Sequence, residues 1–320
     1  MLIVAFETTS ACNLSCSYCR AKASVLPSPE ELSTEEALSF IDEIAPLHPM
    51  LILSGGEPLL RPDINLLARH AADRGMRVSL ATNGTLLTSE NAKKLSSSGV
   101  GRVSISLDGA SSEMHDAARG PGSFEKALEG IESLMGEIDF QINFTVTNRN
   151  EGEVLAIFDL AEGLGAKALH FFFMVPTGRG REDDLLSPER QEELLHLIDE
   201  EQSKRGLEVQ VTCAPQFARI ARAGKRRSGG CLAGTSFVFV SREGDVYPCG
   251  YLPVRAGSIR EKKFIEIWEN SPVFMALRER NLKGLCKDCS FRRACGGCRA
   301  RAYALTGDYL ESDPLCKGAF

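Results

Sequence analysis

Cys12, Cys16 and Cys19 stand within eight residues of one another, directly after the apolar run Leu2-Ile-Val-Ala-Phe6. Thiolates are soft ligands suited to iron–sulfur clusters, and a four-iron cluster takes one thiolate per iron. Three thiolates in one loop leave one iron without a protein ligand, so a small molecule can chelate it. A zinc knuckle or three unrelated buried thiols are the plainer readings of such a triplet. The rest of the chain decides between them.

Downstream, short strands alternate with amphipathic helices. A helix opens at Ser33, which forms a capping box with Glu36, and Leu38, Ile41 and Ile44 follow at helical spacing. Strands are expected at 50–54, 76–81, 102–107, 140–147 and 168–175, with helices at 64–72, 89–95, 124–135 and 154–164. With the strand at 2–6 these make six strand–helix units. Right-handed crossovers turn such units into a parallel sheet. Six are too few for the closed eight-fold barrel, so the expected fold is α/β, a partial (β/α)6 barrel. Ligands of such sheets bind at the C-terminal strand ends. The cysteine loop follows the first strand, where that rule requires it.

Length and composition agree with this reading. The 320 residues suffice for one large α/β domain and a smaller one, and 43% apolar with 25% charged residues is a globular balance. No apolar run is long enough to span a bilayer, and the N-terminus lacks the basic start and long apolar core of a signal peptide. A cytoplasmic protein is expected. There, eleven cysteines argue for metal rather than disulfides. The net charge of −6 gives no support to nucleic-acid binding.

The C-x3-C-x2-C spacing resembles the signature of the radical S-adenosylmethionine (SAM) superfamily. The resemblance implies a [4Fe-4S] cluster on Cys12, Cys16 and Cys19 whose open iron binds SAM. Reduction then gives methionine and a 5′-deoxyadenosyl radical. The second strand ends in Ser54-Gly-Gly-Glu-Pro58. Its glycines let backbone approach a ligand closely, although an ordinary turn has the same composition. The family motif that it matches implies that Gly55, Gly56 and Glu57 hold the SAM amino group. By the same resemblance Ser106 or Asp108 binds ribose, Arg119 pairs with the SAM carboxylate, Tyr18 contacts adenine, and Asn143 adds a contact from the fifth strand.

The sixth strand, His170-Phe-Phe-Phe-Met-Val175, puts His170, Phe172 and Met174 on one face. His170 is there a core residue or a substrate contact. The loop after it, Pro176-Thr-Gly-Arg-Gly-Arg181, sets Arg179 and Arg181 past the strand end, where guanidinium forks suit an anionic substrate group. A charged helix at 187–204 and a strand at 208–212 lead into Cys213, and the basic run Lys225-Arg-Arg-Ser-Gly-Gly230 reads as a linker. The expected division is a barrel at 1–212, a bridging helix and linker at 213–230, and a cysteine-rich domain at 231–320.

Seven cysteines lie in that last part: Cys231, Cys249, Cys286, Cys289, Cys295, Cys298 and Cys316. One zinc site needs four thiolates. The arrangement resembles the SPASM domain, which adds two auxiliary iron–sulfur clusters to many radical SAM enzymes. The resemblance assigns Cys286, Cys289, Cys295 and Cys316 to an outer cluster and Cys231, Cys249 and Cys298 to an inner one. Cys213, alone between the two groups, is a buried free thiol or the missing inner ligand; we expect the ligand.

Thr212-Cys-Ala-Pro215, Val175-Pro-Thr-Gly-Arg-Gly180, Cys249-Gly-Tyr-Leu252 and Cys295-Gly-Gly-Cys-Arg-Ala-Arg-Ala-Tyr303 narrow the resemblance to the radical SAM haem synthases of the sirohaem-dependent pathway and their haem d1 relatives. Gln216 stands where that resemblance leads one to expect histidine. It implies a tetrapyrrole substrate, iron-coproporphyrin III, two of whose propionates are oxidatively decarboxylated to the vinyl groups of haem b. It also implies a low-potential electron donor of the flavodoxin or ferredoxin type. The competing reading is a SPASM enzyme that modifies a ribosomal peptide.

Overall fold

The computed structural model describes residues 1–221 and 230–318. Six strands form the expected parallel series: β1 (Ile3–Glu7), β2 (Met50–Ser54), β3 (Arg77–Thr82), β4 (Val100–Ser106), β5 (Phe140–Val146) and β6 (Ala168–Phe173). Helices α1 (Thr34–Ile44), α2 (Ile64–Asp73), α3 (Ser89–Ser97), α4 (Ser112–Arg119), α5 (Ser123–Leu134) and α6 (Val154–Gly163) connect them. The capping box of α1 is formed, with Ser33 Oγ accepting from the Glu36 amide at 3.2 Å and the Glu36 carboxylate accepting from the Ser33 amide at 2.8 Å.

The sheet is wider than six strands. α7 (Pro188–Lys204) delivers β7 (Glu208–Thr212) alongside β6, also parallel. After the short α8 (Phe217–Ile220), β8 (Phe237–Val240) crosses to the other edge and pairs in parallel with β1, where β9 (Asp245–Tyr247) and β10 (Gly257–Ser258) continue antiparallel. The cysteine-rich part thus extends the barrel sheet, in the order β10-β9-β8-β1-β2-β3-β4-β5-β6-β7. Of the basic run expected as a linker, 225–229 lies outside the described residues.

Strand periodicity separates two faces. On β5, Phe140, Ile142, Phe144 and Val146 are buried, while Gln141, Asn143 and Thr145 on the other face are half-buried. The buried face packs on the helices: Phe144 meets Phe171 edge-on at 5.9 Å, and Phe158 of α6 meets Phe171 at 5.2 Å. At the other end Phe6 packs on Phe40 of α1 at 5.4 Å, and Phe40 on Phe264 at 5.9 Å. Phe264 opens α9 (Phe264–Asn270), which runs on into α10 (Pro272–Glu279). One aromatic chain therefore ties the C-terminal part to the barrel core, each ring contributing about 1.5–3 kcal/mol by burial. The opposite, half-buried face carries the site.

Candidate active site

The cysteine loop leaves β1 and is held by its own return stretch and by groups from other loops. The Cys12 amide donates to the Ser24 carbonyl at 2.7 Å. From the loop after β6, the Arg179 amide donates to the Cys19 carbonyl at 3.0 Å, its Nε to the Cys16 carbonyl at 2.9 Å and its Nη1 to the Ala23 carbonyl at 3.0 Å. Gly178 lets that loop press in so closely: a Cβ there, at φ +67°, would stand 2.3 Å from the Cys19 carbonyl oxygen. This corrects the expectation for Arg179. Its Nε and Nη1 brace the cysteine loop and its Nη2 is buried with no partner among the described residues, so no fork is left for a substrate. Arg181 is exposed at the next turn, whose Asp184 accepts from its amide at 3.2 Å.

The Gly-Gly-Glu-Pro turn explains its glycines differently from the sequence reading. A Cβ on Gly55 would lie 2.8 Å from the Thr9 carbonyl oxygen, and one on Gly56 2.4 Å from that of Ala11. What approaches is the backbone leading into Cys12, anchored by Gly56 and Glu57 amides donating to the Thr9 and Ala11 carbonyls at 2.7 Å each. Glu57 is fully buried. Its carboxylate accepts from the Leu59 amide at 3.1 Å, the Thr82 hydroxyl at 2.8 Å and the Asn83 amide at 2.8 Å. Burial raises its pKa against the pull of those donors. Glu57 locks the end of β2 to the end of β3, while Gly55 and Gly56 line the cavity.

That cavity encloses about 960 Å³, counted with space open to solvent. Cys12, Cys16, Cys19, Tyr18, Ser106 and Arg119 also line it. Asp108 does not. Its carboxylate accepts from the Tyr18 hydroxyl, from Arg119 Nε, and from the Thr145 amide at 2.6 Å. Fully buried and saturated, it cannot also take a ribose; it aims Tyr18 and Arg119. Asn143 sits on the cavity face of β5 one step deeper than Thr145, where its side-chain oxygen accepts from Gln141 at 2.9 Å. His170 lies equally deep on β6, its Nε2 2.6 Å from the Thr212 hydroxyl and its ring 4.3 Å from Phe172. Burial depresses its pKa to about 4, so it is neutral near pH 7. Both sit below the cavity floor.

The thiols fit a metal. Burial pushes the Cys12 thiol up to about 11, with the Leu14 amide opposing and Glu57 adding to the rise. Such a sulfur becomes a thiolate only when positive charge is supplied, as a metal does. Arg119 Nη1 lies 3.9 Å from Cys16 Sγ and Asn83 Nδ2 3.9 Å from Cys12 Sγ, donors to sulfur of the kind that tune clusters. Burial would weaken the Arg119 cation, but Asp108 and Cys16 more than offset it.

The C-terminal cysteines gather in two sets. Cys213 directly follows β7, in the left-handed region at φ +62°. Its side chain packs in one cluster with Cys298 and Cys249, and Cys231 and Cys249 are close enough for their charges to act on one another and on Cys298. The chain thus brings the solitary cysteine to the inner set. The Cys286, Cys295 and Cys316 thiols likewise act on one another, with Cys295 pushed up to about 12 chiefly by burial, and Cys289 follows half-buried in the turn after Cys286. Among the described residues no three His, Cys, Asp or Glu side chains converge to hold a single metal ion. A four-iron cluster asks for thiolates farther apart, one per iron.

A buried ion pair connects the two sets. Arg301 and Asp313 have 0% exposed side chains, with Nη2 to Oδ2 at 2.7 Å and Nε to Oδ1 at 2.9 Å. Arg301 also donates to the Cys213 carbonyl at 2.8 Å, which holds that strained backbone. Asp313 accepts from the Cys298 amide at 2.9 Å, the Leu315 amide at 3.1 Å and Gln216 Nε2 at 2.8 Å. Gln216 is therefore a structural donor to this pair. Arg301, Asp313 and two cavity residues, Arg20 and Tyr251, were not singled out from the sequence. Arg20 directly follows Cys19 and Tyr251 lies two residues past Cys249, a proximity that could have drawn notice.

Residues 6–161 match the model of the radical SAM superfamily and residues 231–290 that of the SPASM iron–sulfur cluster-binding domain. The chain is 51% identical to an AdoMet-dependent heme synthase of Methanosarcina barkeri, covering 98% of this chain and 95% of that protein. It is 41% identical to the AdoMet-dependent heme synthase of Nitratidesulfovibrio vulgaris, covering 98% and 91%. The solved structure of native anSMEcpe with bound AdoMet superposes with a TM-score of 0.77 at 23% identity, covering 99% of this chain and 94% of that one, a likeness of fold.

Proposed function

We propose, for a chain that belongs to the radical SAM superfamily and carries a SPASM iron–sulfur domain, that its reaction is the oxidative decarboxylation of two propionates of iron-coproporphyrin III to the vinyl groups of haem b. The observation that carries this reading is 51% identity along 98% of the chain to an AdoMet-dependent heme synthase. Cys12, Cys16 and Cys19 would hold one [4Fe-4S] cluster. Cys213, Cys231, Cys249 and Cys298 would hold an inner auxiliary cluster, and Cys286, Cys289, Cys295 and Cys316 an outer one. When bound, the first cluster and SAM supply a 5′-deoxyadenosyl radical, and the auxiliary clusters supply sites for single electrons.

The chain's own part is binding and exclusion. Tyr18, Gly55, Gly56, Ser106 and Arg119 present the SAM surface of the cavity. Phe172, Phe173, Met174 and Val175 form an apolar wall beside it that keeps water from a reactive carbon. A low-potential flavodoxin- or ferredoxin-type protein is the proposed donor, and reduced thiols in such number suit a cytoplasmic enzyme. The division into barrel (1–212), bridge (213–230) and cluster domain (231–320) is part of the same proposal. It separates ligand sets, since the sheet itself runs across it.

Anaerobic incubation of the reconstituted enzyme with SAM, a reductant and iron-coproporphyrin III, followed by chromatography and mass spectrometry, tests the reading. The expected products are haem b, carbon dioxide and one 5′-deoxyadenosine per propionate lost. Unchanged porphyrin alongside steady SAM cleavage would point to another substrate.

A further inference from the structure

Decarboxylating a propionate requires a group that holds the carboxylate while hydrogen is removed from the carbon chain next to it. Arg179 is committed to the cysteine loop, and Arg181 is exposed outside the cavity. Among the described residues two arginines line the cavity, Arg20 and Arg119. Arg119 is committed to Asp108 and faces Cys16. Arg20 is differently placed. Its Nη2 donates to Glu7 at 3.0 Å, its Nη1 makes a long bond to the Gly250 carbonyl at 3.3 Å, and its guanidinium lies 4.6 Å over the Phe239 ring. Glu7 does not answer Arg20 alone: its other oxygen accepts from Arg242 at 2.8 Å, and Arg242 in turn meets Glu243 at 2.7 Å. The side chain is thus locked in place, while its Nε has no hydrogen-bond partner among the described residues.

Across from it stands Tyr251. Its backbone carbonyl accepts from the Thr177 hydroxyl at 3.2 Å, and its ring packs with Cys213, Cys249 and Val175 around the inner cysteine set. The ring also lines the cavity, and among the described residues its hydroxyl has no hydrogen-bond partner in the protein. A phenol keeps its proton at neutral pH and can donate it in a hydrogen bond. A locked cation and an unpartnered O–H donor therefore share one cavity, between the N-terminal cysteine loop and the inner set.

We infer that Arg20 and Tyr251 form a carboxylate grip that holds the reacting acid group of the substrate between the SAM site and the inner cysteine set. The inference rests on the proposed substrate for the identity of that acid, a propionate of iron-coproporphyrin III. The placement suits the chemistry: the carboxyl is fixed on the side of the inner set, which leaves the methylene next to the ring turned toward the SAM surface.

The test is a titration of reconstituted wild-type, Tyr251→Phe and Arg20→Lys protein with iron-coproporphyrin III, read by the change in its Soret band. Haem b, which lacks the two reacting propionates, is titrated in parallel, and SAM binding is measured on each protein. Loss of one hydrogen bond to a charged group weakens binding about ten-fold or more. That loss is expected in both variants for iron-coproporphyrin III, with haem b and SAM bound as by the wild type. Tyr251→Phe removes one oxygen and keeps the ring, so it tests the grip even if Arg20→Lys disturbs the Glu7 pairing. Unchanged affinity for iron-coproporphyrin III in Tyr251→Phe overturns the grip, and so does an equal loss for both porphyrins. A wild type that does not bind iron-coproporphyrin III counts instead against the proposed substrate.

Discussion

Replacing Cys12, Cys16 and Cys19 together with alanine should abolish formation of 5′-deoxyadenosine while leaving the fold and the C-terminal cysteine sets in place. Those three sulfurs sit on a loop at the cavity face, whereas the core is the apolar face of the sheet with its helices. The loop's geometry is set by backbone: Arg179 reaches the Cys16, Cys19 and Ala23 carbonyls, and Gly56 and Glu57 reach those of Thr9 and Ala11. None of these bonds uses a thiol. Cys12 alone of the three is buried, and trimming it to alanine costs about 1 kcal/mol or less. Activity and stability should separate. The checks are chromatography of the SAM products under dithionite, with far-ultraviolet circular dichroism and iron content on the same sample. Expected are no 5′-deoxyadenosine, an unchanged spectrum, and loss of one site's iron only.

Asp313→Ala should do the reverse, damaging the C-terminal part before the chemistry. Removing the acid strands Arg301, a cation with no exposed surface, and an uncompensated buried charge costs about 3–5 kcal/mol. The same change deprives the Cys298 and Leu315 amides and Gln216 of their acceptor. Cys298 and Cys213, whose carbonyl Arg301 holds, are drawn from one inner set, and Leu315 adjoins Cys316 of the outer one, so both sets lose order together. Asp313→Asn keeps acceptor capacity without charge and should fall between. As a contrast, Glu90→Ala breaks the exposed Glu90–Lys94 pair, which should leave the midpoint where it is in the wild type. Chemical denaturation of the anaerobic proteins, with iron analysis after gel filtration, measures all three. A midpoint for Asp313→Ala equal to that of wild type would remove the ion pair from the account.

The parallel series β1 to β6 was legible because each strand is a short apolar run followed by an amphipathic helix, and both periods are local. The width of the sheet was not. β8 is four residues whose partner, β1, lies more than 230 positions earlier, and no local pattern encodes that pairing. The two groups of cysteines were readable as candidate ligands because thiols at close spacing have few other uses. Cys213 was expected in the inner set by elimination, and the structure packs it in one cluster with Cys298.

Polar residues at strand ends were harder. Asp108 and Glu57 stand where a ligand group could stand, yet both are saturated by neighbours that the sequence does not bring near them: Tyr18, Arg119 and Thr145 for one, Thr82 and Asn83 for the other. Arg179 turns onto the cysteine loop rather than toward a substrate, because Gly178 folds its loop onto Cys19. Arg301 and Asp313 lie in a stretch rich in charge, where nothing in the sequence marks which charges are buried.

The most direct measurement of the central claim follows a deuterium. Loss of carbon dioxide and one electron leaves a vinyl group only if the hydrogen removed comes from the propionate methylene attached to the ring. Iron-coproporphyrin III deuterated at those methylenes should therefore pass deuterium to 5′-deoxyadenosine, one per turnover, as haem b forms. Labelled porphyrin that keeps all its deuterium while unlabelled 5′-deoxyadenosine accumulates would contradict the account.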